Sequence, residues 1–379
     1  MSFLEYRVKY VPTGLRKVLY LNWPLIVLVT AVSAVGWLAL YSIAGGRMDV
    51  WAGRQMQIFA LGAVLMFLVA FVPIWFWRNM SLLAYIVSVL LLLVVEFFGA
   101  MGMGAQRWIE FGGLRLQPSE LMKVTLVMML AAYYDWLDVK KTSRLFWVLI
   151  PVVLTVIPTV LVLMQPNLGT ALILLMIGGA VMLLAGVSLW YFAVVIGGGV
   201  AAIWAVMASR GTPWQLLHDY QFRRIDTFLD PEADPLGAGY NIMQAKIALG
   251  SGGWSGKGFM QGTQSQLNFL PEKHTDFIFN TLAEEFGFVG AFSLLSLYVL
   301  LIFFCFTSAM SNRDRFASIM TFGIATAFFL LVAINMGMVM GLMPVVGLPL
   351  PLVSYGGSAM IILMAGFGLV QSAHIHRPR

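Results

Sequence analysis

Charge is scarce in this sequence. Asp, Glu, Lys and Arg make up 11% of its 379 residues, against about 25% in an ordinary soluble domain. Cysteine is nearly absent: the single Cys305 lies inside an apolar run, which excludes a disulfide within the chain. Histidine occurs four times, at 218, 274, 374 and 376, with no Cys partner and no His-Glu-x-x-His pattern, so a zinc-type site is unsupported. No cleavable signal peptide is visible either. The first apolar run begins near Leu21, after a basic stretch, and is long enough to span a bilayer.

What is present is hydrophobic length. Apolar residues make up 60% of the chain and mean hydropathy is +0.87, which indicates a polytopic membrane protein. The net charge of +6 comes from basic residues scattered between apolar spans, so it reports topology rather than nucleic-acid binding. A hydrocarbon core about 30 Å thick needs about 20 helical residues per crossing. Spans fall near 22–44, 56–77, 81–100, 117–134, 145–164, 168–186, 187–209, 276–308, 316–340 and 352–373. The expected fold is therefore all-α, with about ten transmembrane helices in one membrane domain over 1–379. The stretch 168–209 is split at Gly186-Val187-Ser188; a single long span there would change the parity.

The distribution of charge supports ten. With residues 1–21 inside, the short inner segments hold Arg7, Lys9, Arg16, Lys17, Arg78, Lys140, Lys141, Arg144, Arg313, Arg315, Arg377 and Arg379. The short outer loops hold only Arg47, Arg54, Arg107 and Arg115. This bias puts both termini, including the tail 374–379, in the cytoplasm. Residues 210–275 then form a long extracytoplasmic (periplasmic) loop. Its spread of aromatics, among them Trp214, Tyr240, Trp254 and Phe269, argues for order.

Several polar sets interrupt the apolar pattern. "GSGGWSGKGF" (250–259) fails as a phosphate-binding P-loop, because Ser251 stands where Gly is required and Gly258 follows the lysine. It reads first as a mobile turn and second as an anion contact. "QPSELMK" (117–123) puts Glu120 and Lys123 on one helix face, either as a pair facing a cavity or as charges snorkelling from a helix end. "GAQRWIEFGGLRLQ" (104–117) alternates around Gly112-Gly113 and predicts a small hairpin, whose Arg107 and Arg115 suit headgroups or substrate equally. In "QPNLGT" (165–170), Asn167 is best read as a helix cap. "LPEKHTDFIFNTLAEEFG" (270–287) places Asp276 at a helix start, with Glu284 and Glu285 about two turns deeper. On residue type alone, Asp276 reads either as a helix cap or as a residue with a sharper role. "MPVVGLPLPLVSYGGSAM" (343–360) is a Pro- and Gly-broken segment whose polar candidates are Ser354, Tyr355 and Ser358.

Assembled, these stretches resemble the SEDS family (shape, elongation, division, sporulation), most closely its RodA branch. "GAQRWI", "QPSE", "QPNLGT", "DPLGAGYNIMQAKIALGSGGWSGKG", "GTQSQLNFLPEKHTDFIF", "AEEFGFVG" and "MPVVGLPLPLVSYGGS" carry the resemblance over nearly the whole chain. It implies a peptidoglycan glycosyltransferase that polymerises lipid II at the outer face of the bacterial inner membrane during elongation. It also implies a class B penicillin-binding protein and other elongation-complex membrane proteins as partners, and a divalent cation such as Mg²⁺ or Mn²⁺, whose ligands stay unassigned. The family's loop aspartate falls on Asp276, and its intramembrane Glu and Lys on Glu120 and Lys123. Arg107, Lys257, Lys273, His274, Ser354 and Tyr355 are the substrate-side candidates. Asn167 stands where the family commonly has Asp, which puts a carboxylate role there in doubt but not a cap. A lipid flippase, or a non-catalytic scaffold that activates a partner, would share the spans and the buried charges.

Overall fold

The computed structural model describes residues 14–102, 105–111, 114–216, 222, 226, 229–230, 238–267, 269 and 272–377. Ten long helices coincide with the ten apolar stretches. They are α1 (Trp23–Ile43), α2 (Ala52–Phe71), α3 (Ile74–Phe98), α4 (Pro118–Trp136), α5 (Leu145–Met164), α6 (Leu168–Leu184) and α7 (Leu189–Ala208), then α10 (Ile278–Met310), α11 (Arg315–Val339) and α12 (Gly357–Ile375). Between α7 and α10 lie α8 (Ala238–Ser251) and the single turn α9 (Thr263–Gln266). Eight of the ten are long and apolar enough to cross a membrane. The other two are α4, which carries Glu120, Lys123 and Asp135, and α6, with 17 residues. The chain is a multi-pass membrane protein.

One element departs from a purely helical architecture. Strands β1 (Ala100–Gly102), β2 (Ala105–Phe111) and β3 (Leu114–Leu116) form a small antiparallel sheet in the order β1-β2-β3. Its β2–β3 pairing, Ile109 opposite Leu116 and Phe111 opposite Leu114, is the hairpin that the alternation at 104–117 predicts.

Helix starts follow the local chemistry. Asn22, Asn167, Ser188 and Asp314 each accept a bond from a first-turn amide, and proline opens α1 and α4, where a missing N–H costs nothing. Helix α5 contains Pro151 and Pro158, each of which frees the carbonyl four residues earlier. Neighbouring helices satisfy both carbonyls: Tyr133 Oη donates to Trp147 O (2.7 Å) and Tyr85 Oη to Leu154 O (2.8 Å).

The helices alternate between two ends. At one end lie Arg78 with Asp135 (3.3 Å) and Asp314, and Gln371 Nε2 on Asn22 O (3.0 Å). The other end carries Ser42, Gln55, Glu120, Gln165, Asp276 and Ser354. Helix α12 packs most extensively on α2, and α11 fills the centre between α4, α6 and α10. By contrast, no residue of α7 is buried. Close approach at the Asp276 end depends on Gly36 of α1, where a Cβ would stand 2.6 Å from Val353 O.

Candidate active site

Asp276 lies two residues before α10, in a turn that other parts of the chain hold from behind. Three consecutive carbonyls of "HTD" each accept a hydrogen bond from a distant donor. Tyr355 N bonds His274 O (3.0 Å), Ser354 Oγ bonds Thr275 O (2.6 Å) and Asn335 Nδ2 bonds Asp276 O (2.9 Å). Gln55 of α2 then fixes the 354–356 segment, donating to Ser354 O (3.0 Å) and accepting from Gly356 N (3.3 Å). The His274 ring stacks on Trp51, with centroids 4.9 Å apart, and Tyr355 packs beside it. The backbone around Asp276 is thereby immobilised, while its carboxylate has no hydrogen-bond or ion-pair partner among the described residues.

Electrostatics follow from that placement. Burial, with a smaller contribution from the negative charge of Glu272, raises the Asp276 pKa from an ordinary 3.8 to about 6. Burial also lowers the pKa of Lys273 and of His274, so the imidazole is neutral at pH 7. Gly347, at φ +68°, lies against the carboxylate: a Cβ there would be 3.6 Å from Asp276 Oδ2. Val346 and Leu348 in turn press on Gly169 in the first turn of α6. Asn167 caps that helix through Oδ1 to Thr170 N (3.3 Å), and no carboxylate is needed for it.

The other sequence candidates fall into separate groups. Glu120 and Lys123 form a buried ion pair (2.7 Å). The pair lines a largely apolar cleft between α4, α11 and α12, with about 740 Å³ of empty volume including its open mouth. Asp276 does not line this cleft. The segment Pro349–Leu352 and Ser354 form its wall, and Ser354 reaches through that wall to the Asp276 turn. Arg107 donates from Nε to Gln165 O (3.2 Å) and from Nη2 to Pro166 O, which ties β2 to the α5–α6 turn.

Lys257 and Lys273 serve internal partners. Lys273 Nζ bonds Ser265 O. Lys257 Nζ pairs with Glu284 Oε1 (2.7 Å), which also accepts from Thr263 Oγ1 (3.0 Å) and Gln264 N (3.0 Å). The glycine-rich stretch, read from sequence as a mobile turn or an anion contact, has a structural role that neither reading foresaw. Helix α10 breaks at Gly287 (φ +63°, ψ −159°), and the stretch supplies the hydrogen bonds lost at the break. Lys257 N and Gly258 N donate to Glu284 O and Glu285 O (both 3.0 Å), and Phe288 N and Val289 N donate to Gly253 O and Trp254 O (2.8 and 3.2 Å). The remaining deep acid, Glu285, accepts from Ser42 Oγ of α1. Sequence reasoning missed Asn335 and Gln55; the available signal was an uncharged amide late in an apolar helix for Asn335, and Gln55 lies among other polar residues at the start of α2.

A family model described as "cell cycle protein", FTSW_RODA_SPOVE, matches residues 16–379. The chain belongs to this family. Among its relatives in the family, the peptidoglycan glycosyltransferase MrdB of Escherichia coli K12 is 44% identical, over 94% of each chain. The protein of that name in Helicobacter pylori 26695 is 36% identical, over 84% of this chain and 82% of its own. The rod shape determining protein RodA of Thermus thermophilus superposes with a TM-score of 0.71 at 30% identity, covering 95% of this chain and 98% of its own. A chain from a structure on the coordination of polymerization and crosslinking by a peptidoglycan synthase complex superposes at 0.80, with 33% identity and coverage of 93% and 97%.

Proposed function

We propose that this chain is a peptidoglycan glycosyltransferase that polymerises lipid II at the outer face of the bacterial inner membrane, with Asp276 as general base. The observation that carries the reading is the contrast at Asp276 between a pinned backbone and an unpartnered carboxylate of raised pKa. A sugar hydroxyl is barely ionised at neutral pH, so its proton must leave as it attacks. In one inverting displacement, the hydroxyl oxygen bonds the anomeric carbon, the bond from that carbon to the lipid pyrophosphate breaks, and Asp276 takes the proton. A carboxylate with a pKa of about 6 is ionised at neutral pH and more basic than an ordinary one.

The departing pyrophosphate gathers negative charge that cations must stabilise. Arg107 is the best placed of the sequence candidates, since Nη1 keeps no partner among the described residues, whereas Lys257 and Lys123 face Glu284 and Glu120. A divalent cation of the Mg²⁺ or Mn²⁺ type also fits this end. Such ions take one or two carboxylates together with substrate phosphates, and Glu272 lies beside Asp276 with, among the described residues, only Thr275 Oγ1 (3.0 Å) on its carboxylate. No group of three or more His, Cys, Asp or Glu side chains gathers among the described residues. Glu272 would hold the ion, and the ion would neutralise the leaving group. The apolar cleft beside Glu120 and Lys123 suits a lipid tail.

The basic end, with Lys17, Arg78, Lys140, Lys141 and Arg315, faces the cytoplasm in this reading, which places both termini there and residues 210–275 outside. A crosslinking transpeptidase of the class B penicillin-binding type is the expected partner, alongside other elongation-complex proteins. Purified Asp276→Asn protein should fold, bind lipid II and form no glycan. Turnover retained in that variant overturns the base assignment, and fluorescent-lipid translocation by the same protein without polymerisation would favour a flippase.

A further inference from the structure

We infer that Asn335 is a positioning residue for the transfer reaction: it sets the location of the Asp276 carboxylate without touching substrate. This inference rests on the assignment of Asp276 as base. Asn335 lies one turn before the end of α11 and is fully buried. Its single amide nitrogen donates twice, to Asp276 O (2.9 Å) and to Leu348 O (2.6 Å). One side chain therefore fastens together the peptide that carries the base and the segment whose Gly347 lies against the base's Oδ2.

The other half of the amide shows what the residue is for. Asn335 Oδ1 is buried without a hydrogen-bond partner among the described residues. An unsatisfied buried acceptor is unfavourable, and the two bonds from the amide nitrogen offset that cost. What leucine or methionine could not supply is the pair of N–H groups directed at two carbonyls from different parts of the chain. The Ser354 and Tyr355 bonds hold the carbonyls of residues 275 and 274. The carbonyl of the base residue itself is held by Asn335.

A displaced base weakens the proton transfer but leaves substrate binding intact, since small errors of placement in a reacting geometry cost large factors in rate. The test is lipid II polymerisation by the purified full chain carrying Asn335→Leu or Asn335→Asp, with thermal unfolding measured on each. Aspartate keeps the shape and, when ionised, donates nothing; leucine also removes the orphaned acceptor. Both variants are expected to lower kcat at least about tenfold with KM within about threefold of the parent, while Tm falls by a few degrees as the carbonyls of 276 and 348 lose their donor. Asn335→Ser, which can donate one bond, should recover part of kcat. A kcat within twofold of the parent in the aspartate variant, or a loss confined to KM, overturns the inference. Asp276→Asn run in parallel separates the two failures. If that variant retains turnover, the base assignment is wrong; if it is inactive and Asn335→Asp is normal, only the positioning role is.

Discussion

Asp276 and Glu284 lie about two helical turns apart at the same end of the molecule, and the fold treats their carboxylates in opposite ways. Glu284 is fully buried and receives Lys257, Thr263 and two backbone amides. Asp276 is half-buried, with its backbone fastened at three carbonyls and its carboxylate left open. Depth alone would rank Glu284 as the functional acid. Its bonds show that it organises the glycine-rich loop, so a buried acid is informative only through what its oxygens are committed to.

Exchanging each acid for its amide should separate the two roles most sharply. Asp276→Asn is expected to remove glycan synthesis while leaving Tm unchanged or slightly higher. The Asp276 pKa is higher in the folded chain than in the unfolded one, so its contribution to stability is full below about pH 4 and is lost as pH rises through about 6. At neutral pH the ionised carboxylate opposes folding, and asparagine relieves that. Glu284→Gln should do the reverse, lowering stability by about 1–3 kcal/mol as donors around it lose their acceptor. Limited proteolysis of the 252–267 loop, read beside Tm, checks this; unchanged protection would break the contrast.

A smaller effect is expected from pH. Synthesis by the parent protein should be half-maximal near pH 6 and fall about tenfold per unit below it, as the base protonates. An acid limb near pH 4 would show Asp276 to be more solvated than its surroundings imply. The smallest effect concerns Asn167. Aspartate caps helices about as well as asparagine, so Asn167→Asp should leave synthesis within about twofold and Tm within about a degree. A large gain would mean that the position has a role beyond its bond to Thr170 N.

The helical framework was legible because long apolar runs leave little choice: all ten stretches became helices, and the alternation at 104–117 became the β2–β3 hairpin. The Glu120–Lys123 pair was legible from its spacing of three. The glycine-rich stretch was not, because its partner is a break at Gly287 within "AEEFGFVG", and that sequence reads as ordinary apolar helix. Lys257, Lys273 and Arg107 were assigned to substrate by charge and topology. In the fold Lys257 also pairs with Glu284 and Arg107 with the carbonyls of 165 and 166, both far away in sequence, and Lys273 bonds the nearby Ser265 O; residue type encodes none of these contacts. Asn335 escaped for the same reason, since its role lies in two long-range bonds.

The break at Gly287 also sets a height. Residues 288–310 extend about 35 Å at 1.5 Å per residue, which is enough to cross the hydrocarbon layer without the preceding turns. Residues 278–286 add up to about 13 Å beyond it. On the proposed function, that short half-helix serves as a pedestal for the Asp276 turn, separate from the part of α10 that is long enough to cross the bilayer alone.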